Sequence, residues 1–190
     1  MTLNERTYQF NALTNLWAGS GKLEERNSQT KEENKPDCLS STGLLGSIRW
    51  WFEVLVRGLK GNACNPTRTQ CEGRNHCVVC KLFGCTGWAR KFRFEVLDED
   101  GNVQAAQIKR NQKFSLRFTP LRPIRAEEWA LLDATLHLIA GYGAIGGKTV
   151  FKPSDESGRE NEPHHRDFGL IDIVSTTRSE ERRVGKECRS

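Results

Sequence analysis

Four cysteines in one short stretch offer the clearest chemistry in this chain. They read Cys64-x6-Cys71-x5-Cys77-x2-Cys80, and Cys85 follows. A CxxC pair presents two soft ligands from one turn, and two further thiols complete the tetrahedral set that zinc prefers. The segment around them is polar and cannot build a core of its own, so a metal would order it. Four protein ligands leave no open position for a reacting water, so the zinc would be structural. Cys85 lies in LFGCTG, between apolar residues, and reads as a buried thiol. His76 is a possible substitute ligand, and Cys38 stands alone. The competing reading is a set of unpaired buried thiols.

A second stretch, GYGAIGGKT from Gly141 to Thr149, looks at first like a phosphate cradle. The Walker pattern GxxxxGK[ST] fails by one position, because Tyr142 stands where glycine is required. The context also fails: a P-loop follows a strand, whereas this loop follows a helical stretch. The GxGxxG match from Gly141 to Gly146 lacks a preceding strand as well. No nucleotide cofactor is therefore expected. What remains is a loop of free backbone geometry, with N–H groups and Lys148, able to approach an anion or a nucleic-acid backbone. A glycine-rich helix end is the alternative.

Histidine and carboxylate chemistry is sparse. His137 sits in an apolar helical stretch and reads as a core histidine. His164 and His165 lie among Glu160, Glu162 and Asp167 in a polar loop. No Ser/His/Asp or paired-carboxylate spacing supports catalysis, so no catalytic residue is assigned. Asp37 and His164 are the weak candidates.

Charge points toward phosphates. The full chain carries a formal net charge of +5. Between Lys81 and Arg125 there are ten Lys/Arg and four Asp/Glu, a local excess of +6. Such a stripe is an electrostatic footprint for nucleic acid, although a solvated face would show the same run.

The elements that must position these groups follow from periodicity. Thr7–Leu13 alternates as a first strand, and residues 19–37 read as a long polar loop. Ser40-Ser41-Thr42-Gly43 offers a cap for a helix over TGLLGSIRWWFEVLVRGL. Its broad apolar face centres on Ile48, with Trp50, Arg57 and Gly46 opposite. An outward Trp50 calls for cover, most simply by an inserted segment. Lys91–Leu97 and Lys113–Thr119 alternate, with phenylalanines on one face and Lys91, Arg93, Lys113 and Arg117 on the other. Val103–Ile108 suggests another short strand. Pro123–Ala140 is a second helix, apolar nearly all round, and Phe168–Val174 is a last strand.

The order βαββαβ implies an α+β, ferredoxin-like or RRM-like fold, with the cysteine-rich insertion at about residues 61–87 between the first helix and the second strand. Two central strands would display the basic residues on the open sheet face, which suits backbone contact better than base readout. No apolar run approaches the roughly eighteen residues of a membrane span, and the N-terminus lacks a signal pattern. A cytosolic, soluble domain over residues 1–177 is expected. Residues 178–190, RSEERRVGKECRS, match over Arg178 to Cys188 the translation of a common sequencing adapter. They are read as non-native, which implies a longer natural chain.

Together, NALTNLWAGSG, TGLLGSIRWWFEVLVRG, CVVCKLFGCTGWARKFRFEV and GYGAIGGKT resemble the RAMP superfamily of CRISPR systems. The likeness is strongest to the first-numbered RAMP subunits of type III-B Cmr effector complexes. It implies a non-catalytic, RNA-binding subunit that holds guide and target RNA beside other Cmr subunits in antiviral defence. The residues to which RNA contact is assigned are Arg49, Arg57, Arg90, Lys91, Arg93, Lys113, Arg117, Gly141, Gly143, Gly146, Gly147 and Lys148. The alternative is a metal-independent RAMP endoribonuclease.

Overall fold

A computed structural model gives the structure of the protein and describes residues 4–18, 39–64, 71, 75–147, 149 and 168–178. Asp37, Cys38, Lys148, His164 and His165 lie outside the described residues.

The described chain forms β1 (Arg6–Ala12), α1 (Ser41–Gly58), α2 (Val78–Phe83), β2 (Phe92–Leu97), β3 (Lys113–Pro120), α3 (Ala126–Tyr142) and β4 (Ile171–Arg178). The strands make one sheet in the order β2-β3-β1-β4, and every neighbouring pair is antiparallel. The central strands are therefore β3 and β1. The expectation that β2 and β3 share the centre is corrected: β2 lies at an edge, because β1 inserts its other side between β3 and β4.

Alternation sets the register. Tyr8, Phe10, Phe92, Phe114, Leu116 and Phe118 turn inward and are essentially sealed from solvent. Burying a side chain of this size contributes roughly 1.5–3 kcal/mol. Tyr8 meets Phe118 edge-on at 5.8 Å, and Phe10 stacks on Phe114 at 5.5 Å. Against this layer α1 lays Leu44, Leu45, Ile48, Phe52 and Val56, and α3 lays Trp129, Leu132, Leu136 and Ile139. The small α2 joins the same core, since Phe83 meets Phe52 at 5.1 Å and Phe92 at 5.5 Å.

The helix starts follow their caps. Ser40 Oγ accepts the Gly43 N–H and begins α1. At α3, the Glu128 carboxylate accepts the Arg125 N–H, half of a capping box. The helix departs from expectation at His137. Ala126, Ala130 and His137 are exposed, whereas Glu128, Thr135 and Ile139 are buried. His137 is thus a surface histidine, because α3 leans on the core through a neighbouring stripe. Residues 103–108 form no continuous strand, and Val103 makes an isolated bridge to Leu97. The Asp98 carboxylate gathers the N–H groups of Asp100 and Asn102 into a turn, and the Ala105 carbonyl is taken by Leu39 N–H.

Candidate functional site

Two sites lie on opposite flanks of α1. The first is a cavity of about 390 Å³ where the N-terminal half of α1 meets the glycine-rich loop. Gly43, Gly46, Ser47, Trp50 and Trp51 line it from α1, Trp17 and Ala18 from the segment after β1, and Ala144, Gly146, Gly147 and Thr149 from the loop. Trp50 is 49% exposed and meets Trp51 edge-on at 4.9 Å. The expected cover over Trp50 is not formed by the described residues. Its ring instead forms part of an open aromatic wall.

The glycines build this cavity by letting bulky groups come close. α3 runs through Gly141 and Tyr142, and Gly143 N–H closes the helix on Ile139 O at 2.9 Å. Gly146 adopts φ +95, a left-handed conformation that favours glycine. A side chain there would strike the Trp17 carbonyl, and one at Gly147 would strike the Trp17 ring. The loop's N–H groups are spent internally, on Ser47 Oγ (2.9 Å from Gly146 N) and Trp17 O (2.8 Å from Gly147 N). Trp51 Nε1 donates to Ala144 O at 2.9 Å. The expectation of free N–H groups cradling an anion is therefore corrected at Gly143, Gly146 and Gly147. Their role is to let Trp17 and Trp51 close in, and the surface they leave is aromatic and apolar.

The second site is the cysteine cluster. The sulfurs of Cys64, Cys71, Cys77 and Cys80 all lie within 4.8 Å of one another. A tetrahedron with bonds of about 2.3 Å to sulfur has S···S edges of roughly 3.8 Å, so this spacing fits one metal ion. Cys64 and Cys80 sulfurs are 3.5 Å apart, and all four thiols are free. Backbone N–H groups already point at two of the sulfurs: Cys77 N at Cys71 Sγ (3.3 Å) and Cys80 N at Cys77 Sγ (3.4 Å). Such bonds orient thiolates around a cation.

Burial pushes the Cys80 and Cys64 thiols up, with neighbouring thiols adding to the rise at Cys80. For Cys77 burial also pushes up, but hydrogen bonds from the Cys64 and Cys80 backbone outweigh it and bring the group down to about 7. Crowded thiols that resist ionising together are the donor set a divalent cation relieves. His76 is not a ligand here; its ring stacks on Trp88 at 4.5 Å. Cys85 is half-buried, with its sulfur toward Cys71 O at 4.0 Å.

The basic residues divide into engaged and open groups. Arg49 donates to Glu53 Oε1 (3.1 Å), Gly84 O (2.6 Å) and Cys80 Sγ (3.5 Å). Arg57 donates to Cys64 O at 2.8 Å and pairs with Glu53 at 3.5 Å. Lys91 does not reach the open sheet face. Its Nζ bonds both Glu128 oxygens at 2.7 and 2.8 Å, and its side chain is only 15% exposed. It ties the start of β2 to the cap of α3.

Arg93 and Arg117 do lie on the open face, where both pair with Glu95, at 3.3 and 2.9 Å. Glu95 sits directly across from Arg117 in the register, so the stripe is partly neutralised. Arg90 and Lys113 are exposed. The sequence reading missed Trp17 and Ser47. Trp17 lies inside the NALTNLWAGSG stretch, and its aromatic type beside small residues was the available signal.

A four-stranded antiparallel sheet with two helices on one face and a glycine-rich loop after the second defines a class. The profile of the RAMP superfamily matches residues 9–151, and the chain belongs to that superfamily. Solved structures share the fold. One is Cmr1 from Pyrococcus furiosus in its apo form, with a TM-score of 0.50 and 14% identity over 91% of this chain and 50% of that one. Another is a chain of a type IV-B CRISPR complex, at 0.55 and 12% over 98% and 95%. A third is a chain of the type III-B Cmr-beta complex bound to cognate target RNA, at 0.54 and 12% over 94% and 55%. The chain thus spans about half the length of the first and third. No curated protein matches it. Among the described residues, no helix is long and apolar enough to cross a membrane.

Proposed function

We propose that this chain is a non-catalytic RNA-binding subunit of a CRISPR effector complex of the type III-B Cmr kind. It would hold guide and target RNA alongside the complex's other subunits. The tryptophan-walled cavity between α1 and the glycine-rich loop carries this reading. An exposed tryptophan ring on the wall of an open cavity is a stacking platform for single-stranded nucleic acid. Membership of the RAMP superfamily and the shared fold with CRISPR-complex chains support it.

The strand order and the helices on one sheet face support a ferredoxin-like domain over residues 1–177, with the cysteine segment inserted between α1 and β2. Zinc suits the four-thiolate set, held by Cys64, Cys71, Cys77 and Cys80, and its role is structural. The exposed residues Arg90, Arg93 and Lys113 are the phosphate contacts, and Lys148 belongs with them by sequence position.

Anisotropy titration of the full chain with labelled single-stranded RNA tests this. Loss of one stacked base costs about 1–3 kcal/mol, so Trp50→Ala should weaken binding by about 5-fold to 150-fold without changing the salt slope. Lys113→Ala should instead lower the slope by about 0.7 for one phosphate contact on a single strand. A folded Trp50→Ala protein with parental affinity would remove the cavity from the interface.

A further inference from the structure

Arg49, Glu53 and Arg57 stand four residues apart on α1, on the flank that faces the cysteine segment. Glu53 is 5% exposed and sits between the two guanidinium groups. Its charge is satisfied locally, which leaves the trio with one net positive charge. That charge is delivered at the cluster. All three Arg49 nitrogens have partners: Nε on Glu53, Nη1 on the Gly84 carbonyl, Nη2 on the Cys80 sulfur. Gly84 caps the C-terminus of α2, the helix that carries Cys80. Cys80 itself is fully buried.

A divalent cation held by four thiolates carries a formal charge of −2. Placing that charge in a buried position is costly unless donors face it. The backbone supplies N–H groups to Cys71 and Cys77. At Cys80 the donor is a full cation. We infer that Arg49 is a positioning residue of the metal centre. It donates to the Cys80 thiolate, offsets part of the site's charge, and clamps the end of α2 so that Cys77 and Cys80 converge on the ion. Arg49 therefore governs metal retention rather than RNA contact, with three of its five N–H groups committed to partners inside the protein. The inference rests on Cys64, Cys71, Cys77 and Cys80 being a metal site.

Cobalt(II) reports tetrahedral thiolate ligation by its visible absorption. The full chain would be titrated with cobalt(II) against a competing chelator under reducing conditions, for the parent and for Arg49→Gln, Arg49→Lys and Arg57→Gln. Partners of metal ligands typically contribute 10–100-fold in affinity. Arg49→Gln should fall in that range. Arg49→Lys, which keeps the charge but loses the fork, should fall between it and the parent. Arg57→Gln, which loses only a carbonyl contact and one side of Glu53, should change least. Cobalt-saturated Arg49→Gln should bind single-stranded RNA as the parent does. Equal cobalt affinity in parent and Arg49→Gln overturns the inference, as does a loss of RNA affinity at saturating metal. If Arg49→Gln does not fold, the parent against Arg49→Lys decides, and equality there is again fatal. A parent chain that takes up no cobalt is a separate result: it sinks the metal site itself.

Discussion

Tyr8 is fully buried on β1, and its phenol donates to Asp133 on α3, which also pairs with Arg6 at 2.5 Å. Arg6 lies over the Trp129 ring at 4.5 Å, so the trio seals one end of the sheet under α3. Burial raises the Tyr8 pKa well above its ordinary value of 10.0, and the Asp133 hydrogen bond and charge raise it further, against a smaller lowering by Arg6. A raised folded pKa gives stability that is complete below 10.0 and is lost as pH climbs past it. Tyr8→Phe should therefore be less stable than the parent by about 1.5–3 kcal/mol at neutral pH, the net worth of a hydrogen bond to a charged group. That gap should narrow as pH rises above 10. Urea unfolding of both proteins from pH 7 to pH 11 checks it, and a constant gap would show that the phenol does not set alkaline stability. The residue scale is also where sequence reading reached least. Arg49 and Lys91 were legible as charges in a basic stretch, but their partners, Cys80 and Glu128, lie 31 and 37 residues away in sequence. Charge type is local, whereas the choice between a phosphate and a buried carboxylate is tertiary.

At the scale of elements, the glycine-rich loop shows how one composition serves two purposes. Gly141 lies inside α3, and a methyl group there would meet nothing within 4 Å. Gly141→Ala should stabilise the protein by up to about 1 kcal/mol, the helix preference of alanine over glycine. Gly146 holds a left-handed φ against the Trp17 carbonyl. Gly146→Ala should destabilise by about 1–3 kcal/mol from backbone strain alone, and by more if Trp17 must move. Chemical denaturation of the two variants should thus give opposite signs, and the same sign in both would refute the division of roles. The element pattern itself was largely readable, because alternation marks β1, β2 and β3 and Ser40 marks the start of α1. Two features were not. Which face of α3 is buried depends on the core it meets, since the helix is apolar on several sides. The central place of β1 depends on pairing with β4 across most of the chain, and local periodicity carries no such information.

At the scale of the whole molecule, the cysteine segment is not an appendage. Cys77, Val79, Cys80, Leu82 and Phe83 belong to the same buried cluster as the sheet phenylalanines and the inner face of α1. The spacing of the cysteines was enough to find the four clustered thiols, but not to show that the cluster is welded to the core. That continuity has a thermodynamic consequence. A ligand that binds only the folded state stabilises it by about 4.1 kcal/mol at a thousandfold excess over its dissociation constant. In a domain of this size each kcal/mol moves the midpoint by about 2–4 °C. Stripping the proposed metal with a strong chelator should therefore lower the melting temperature by on the order of 10 °C. Because α2 shares the core with α1 and β2, the loss should appear as one shifted transition seen equally by far-ultraviolet circular dichroism and tryptophan fluorescence. An early, separate step confined to a minor part of the signal would mean that the cysteine segment folds apart from the sheet. The coupling through Phe52, Phe83 and Phe92 would then be too weak to join them.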